Sequence, residues 1–106
     1  MAFLYITEFA EIEIMAGGRI GQFAKQPPLA EQAIANGGGN TVSAAFNANT
    51  QFVRLHTDSI CAIEFGTSPT AVAAGATGTA RLAANQTEYF GVPKGAGFKV
   101  AAILST

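Results

Sequence analysis

FVRLHTDSICAIEF, residues 52–65, sets the fold class. In its first half Val53 and Leu55 point one way and Arg54 and His56 the other, the period-2 alternation of a half-buried strand. After a turn at Asp58-Ser59, Cys61, Ile63 and Phe65 share one face, with Ala62 and Glu64 on the opposite one. The two runs read as a β-hairpin. Working outward, TEYFGV (87–92) and GFKVAAIL (97–104) read as a second pair, linked by Pro93-Lys94-Gly95. FLYITE (3–8) and AEIEIM (10–15) are further strands, the second of which either stands alone or continues the first through a bulge. TVSAAFN (41–47) and TARLAA (79–84) complete the set. PLAEQAIAN (28–36) has helix-like ends in its proline and its Asn36-Gly37. It lacks an apolar stripe at helical spacing, so it too reads as strand. The alanine-rich run from 71 carries Gly75 and Gly78, each costly inside a helix, and reads as a loop leading into a strand. Turn formers such as Gly37-Gly38-Gly39-Asn40 and Gly66 to Pro69 recur at short intervals. The pattern predicts an all-β fold: a small two-sheet β-sandwich, jelly-roll-like, of about seven to eight short strands.

The length of 106 residues fits one domain over 1–106. Only 12% of residues are charged, against roughly 25% in an average soluble protein. Alanine supplies 21 of the apolar residues and leaves 31 larger ones, so the core must be thin. A net charge of −1 offers no basic stripe for phosphates and predicts no nucleic-acid partner and no membrane-surface helix. Cys61 is the single cysteine, which excludes an internal disulfide and a cysteine-based zinc cage. The opening MAFLYITEFAEIEIMAGG lacks a basic region, and Glu8, Glu11 and Glu13 interrupt it. Neither a signal peptide nor a membrane span is expected, and assembly in the cytoplasm follows. On that basis the Asn85-Gln86-Thr87 sequon is a coincidence.

Candidate chemistry is sparse, and the expectation is a protein that is not an enzyme and takes no cofactor or metal. His56, Asp58 and Ser59 invite a triad, but they lie at one strand end and its turn, whereas a working triad gathers residues from separate elements. Glu11 and Glu13 resemble paired carboxylates. On an edge they are better read as solvated or partner-facing charges that discourage wrong strand pairing. GGGN (37–40) and Gly75-Ala76-Thr77-Gly78 lack the lysine of a phosphate loop and read as turns. Cys61, among Ile60, Ala62 and Ile63, reads as a small buried hydrophobe. What remains is an aromatic, charge-poor surface suited to being covered by other subunits. Phe3, Tyr5, Phe9, Glu11, Glu13, Arg54 and His56 are the interface candidates. Residues 1–9 are either an N-terminal arm adding to a neighbour's sheet edge or an ordinary first strand.

FVRLHTDSICAIEFGTSPTA (52–71), LAANQTEYFGV (82–92) and GFKVAAI (97–103), with LYITEFAE (4–11) and PPLAEQ (27–32), together resemble a group of small proteins encoded among the virion genes of tailed bacteriophages. The likeness spans most of the chain and includes no chemical motif. It implies a structural component of the particle, most plausibly a capsid decoration or cement protein on the virion surface. Its partners would be the major capsid protein and neighbouring copies of itself in a homo-oligomer. A tail or head-to-tail connector subunit is the alternative, and a glycan-binding jelly-roll module a more distant one, weakened by the absence of tryptophan.

Overall fold

Alternating apolar and polar side chains, punctuated by turn formers, leave the chain little choice but short strands. The computed structural model describes residues 2–14, 20–24, 26–72 and 80–105, and these hold strands and loops with no helix. The strands are β1 (Phe3–Phe9), β2 (Ile12–Ile14), β3 (Ile20–Ala24), β4 (Ala30–Ala35) and β5 (Thr41–Val42). There follow β6 (Phe52–Thr57), β7 (Cys61–Gly66), β8 (Ala80–Leu82), β9 (Thr87–Gly91) and β10 (Lys99–Leu104). Two four-stranded antiparallel sheets form, ordered β4-β1-β6-β9 and β5-β10-β7-β8, and β2 and β3 make a separate two-stranded ribbon.

The pairings nest. β7 pairs with β8, β6 with β9 and β5 with β10, so the chain from β5 to β10 is one antiparallel ribbon doubled back on itself. Successive strand pairs alternate between the two sheets. β4 pairs with β1, so the first strand completes this sheet. A ribbon wrapped this way is the jelly-roll arrangement, here with the N-terminal strand in the last strand's place.

This wrapping corrects two expectations. Residues 52–57 and 61–66 are strands with the faces read from the sequence, yet they do not form a hairpin. β6 belongs to one sheet and β7 to the other. β9 and β10 are likewise split between the sheets rather than paired. The reason lies in where the apolar faces go. Crossing between sheets sets Val53 and Leu55 opposite Cys61 and Ile63 across one core, whereas a hairpin would lay them side by side. The corner at Asp58-Ser59 is held by Thr57, whose hydroxyl accepts from Asn36 Nδ2 at 2.7 Å and donates to the Ser59 carbonyl. Asn36 and Thr57 are fully buried, so the corner is anchored from inside.

The core draws Leu4, Ile6, Ile34, Val53 and Leu55 from one sheet and Cys61, Ile63, Leu82, Val100 and Ala102 from the other. Phe46 enters from the β5–β6 connection, and Phe65, Phe90, Val92 and Phe98 pack around the margin. Each fully buried Leu, Ile or Val contributes roughly 1.5–3 kcal/mol. Aliphatic side chains thus fill the centre and mostly aromatic ones the margin.

Other expectations meet the structure in detail. Residues 30–35 are a strand, as read. Residues 10–15 yield β2, separate from β1, which pairs with β3, a strand the sequence reading did not foresee. Of 41–47 only Thr41–Val42 is regular strand, although the Ser43 and Phe46 amides still donate to the Val100 and Phe98 carbonyls. The loop expected around Gly75 and Gly78 lies outside the described residues. Residues 3–9 are an interior strand, bonded to β4 on one side and β6 on the other. The arm reading is therefore replaced by its alternative, the first strand of the domain's own sheet.

Candidate interaction surface

Because Leu4, Ile6, Val53, Leu55 and Ile34 face the core, their neighbours along β1, β6 and β4 face outward. The antiparallel register then arranges the outward residues in rows. One row runs Ala33, Tyr5, His56, Thr87, and the next Glu31, Thr7, Arg54, Tyr89. Beyond them, Phe3 lies beside Ala35 at one end, and Phe9 lies beside Phe52 at the other.

Ring contacts knit this face together. Phe9 and Phe52 stack with centroids 5.2 Å apart, and Tyr89 meets Phe52 at 6.4 Å. Tyr5 lies 6.1 Å from Phe3 and 6.3 Å from His56. Such pairs contribute about 0.5–1.5 kcal/mol each beyond simple burial. The His56 Nδ1 and Thr87 Oγ1 are in hydrogen-bond contact at 2.8 Å, which ties the imidazole of β6 to β9. Phe9 is buried, but Tyr5 is 42% and Tyr89 54% exposed, so these two rings meet solvent. Between β4 and β1 a shallow depression of about 280 Å³ is lined by Tyr5, Thr7, Glu31, Gln32 and Ala33 among others.

Of the candidates named from sequence, Phe3, Tyr5, Phe9, Arg54 and His56 come together on this one face. Glu11 lies exposed between β1 and β2, away from these rows. Glu13 lies in β2, and its side chain is outside the described ones. The sequence reading missed Phe52, Tyr89, Thr87 and Glu31 as members. Their alternation was visible, but membership depended on strand order.

Elsewhere the polar groups turn to structural partners. His56, Asp58 and Ser59 do not converge: Asp58 Oδ2 accepts from the Phe3 amide, and Ser59 Oγ donates to Asn36 Oδ1. Cys61 is buried, with its thiol 3.6 Å from Thr57 Oγ1. Glu8, an inward residue of β1, is 2% exposed. Its carboxyl accepts from the Asn47 amide at 2.7 Å, from Thr50 Oγ1 at 2.8 Å and from Gln32 Nε2 at 3.4 Å. Glu8 thus ties the β5–β6 connection to the first sheet. Among the described residues no three His, Cys, Asp or Glu side chains are grouped to hold a metal ion. Set against protein-family models, curated proteins and solved structures, the chain gives no match in any of the three comparisons.

Proposed function

We propose that this chain is a non-enzymatic structural subunit of a tailed-phage particle, a capsid decoration or cement protein that stabilises contacts between major capsid subunits. The observation that supports the reading is the outer face of the β4-β1-β6-β9 sheet. A hydrogen-bonded platform presents Tyr5 and Tyr89 to solvent, with half-buried His56 beside Tyr5 and one charge of each sign, Glu31 and Arg54, on the flanks. Aromatic side chains on a stiff backbone lose little conformational freedom when covered, and they dominate binding energy at protein interfaces. The likeness of 52–71, 82–92 and 97–103 to small virion proteins supplies the setting: assembly in the host cytoplasm and residence on the capsid surface. Mechanistically, the subunit acts by removing apolar and neutral polar surface from water at subunit junctions.

The test is to add purified protein to phage shells that lack it, then image the particles and melt them. Coverage across the shell with a raised disruption temperature is expected. A ring of fixed stoichiometry at one vertex would assign the chain to the tail or connector instead, and absence of binding would overturn both.

A further inference from the structure

We propose that the outer face of the β4-β1-β6-β9 sheet packs against the same face of a second copy of this chain, about a two-fold axis that lies between the sheets and runs along β1. The proposal rests on reading this face as an interaction surface and names a second copy of the chain as its occupant, so that a shell would be met by the remaining surface of the dimer. Charge provides the first argument. In the row through Thr7, Glu31 lies one strand away on β4 and Arg54 one strand away on β6. Neither has an ion-pair or side-chain hydrogen-bond partner among the described residues. Rotation about β1 exchanges the two flanks, so each Glu31 meets Arg54 of the second copy, and the pair forms twice. Such self-complementarity is the signature of an isologous contact, which closes as a dimer and does not propagate into a fibre.

Shape makes the second argument. The β4 flank carries small outward residues, Ala33 and Ala35, while the β6 flank carries Arg54 and His56. The same rotation sets the bulky flank over the small one. It also places the depression between β4 and β1 beneath Arg54 and His56 of the second copy. Tyr5, next to the axis, meets its own counterpart, and Tyr89 on the outer strand reaches over the open edge of β4. Sheets stacked face to face in this way are an ordinary packing mode for twisted β-structure. With strands about 4.8 Å apart, the three strands of each face that overlap bury on the order of 800 Å² in total, the size of a weak contact that forms and dissociates with concentration.

Sedimentation of the full chain from about 1 to 100 µM tests the proposal, with circular-dichroism melts confirming that every variant is folded. A concentration-dependent dimer is expected, weakened by added salt. Arg54→Glu alone and Glu31→Arg alone should each weaken it at least about tenfold, and the double charge swap should return it to within about threefold of the original. A monomer at every concentration overturns the proposal. So does a dimer indifferent to both substitutions, or one that the double swap fails to restore. Shell binding separates this from the broader reading. A monomer that still coats shells removes only the self-pairing, whereas a charge-sensitive dimer that ignores shells removes only the decoration role.

Discussion

At the scale of single residues, Glu8 carries the clearest structural assignment. A carboxyl group buried in an apolar layer costs several kcal/mol unless donors surround it. Here Asn47, Thr50 and Gln32 provide them. Glu8→Ala should destabilise the fold by about 3 kcal/mol, because it strands buried donors and leaves a void. Glu8→Gln keeps one acceptor oxygen and should cost only about 1 kcal/mol. Urea unfolding of the two variants checks this, and equal losses would contradict the assignment. Thr57 is the comparable hub at the β6–β7 corner. Thr57→Val keeps the shape but removes the hydroxyl that serves Asn36 and Ser59, a loss of about 2 kcal/mol by the same measurement. Neither role was legible beforehand. Glu8 read only as a break in an apolar run, since its donors lie 39 and 42 positions away in the case of Asn47 and Thr50.

Among the elements, β1 sits between β4 and β6 and supplies Leu4 and Ile6 to the core. Deleting residues 2–9 should therefore abolish folding, seen as loss of the β-sheet circular-dichroism signal. A truncated chain that keeps its sheet content would restore the arm reading. The connection from β9 to β10 turns on Gly95 and Gly97, with φ of +72° and +69°. A side chain there pays the left-handed penalty, so Gly95→Ala and Gly97→Ala should each cost roughly 1–2 kcal/mol, and the asparagine variants less. Thermal melts decide; an unchanged midpoint for alanine would show that the connection relaxes freely. Strand positions along 52–57, 61–66 and 99–104 were legible from alternation because a two-faced sheet writes period 2 into the sequence. Their partners were not. Adjacent strands pair in most folds, and the sequence of β6 and β7 holds nothing local that distinguishes a hairpin turn from a corner between sheets.

For the whole molecule, one core shared by both sheets predicts one cooperative unfolding step. Cys61 reports on it directly, since its thiol is fully buried between the sheets. Labelling by a thiol reagent should rise in parallel with loss of sheet signal across a denaturant series. Labelling that clearly precedes that loss would mean the sheets separate before they unfold. The outer face is also a property of the whole molecule. Phe3, Tyr5, Phe9, Arg54 and His56 are aromatic or basic residues spread over two strands of a sequence poor in charge. That they share a surface with Tyr89 follows from β9 pairing beside β6.

By itself the sequence determined the all-β class, the strand spans of the clearest runs and which side chains share a face along 52–57 and 61–65. These are local consequences of side-chain alternation and composition. The tertiary structure alone decided which strands became neighbours, and with that the nested jelly-roll pairing, the donors around Glu8 and the single face that gathers Phe3, Tyr5, Phe9, Phe52 and Tyr89. Neighbour choice is a contest between whole arrangements for the same apolar surface. It is settled by how two sheets close over one core, which no short stretch of residues encodes.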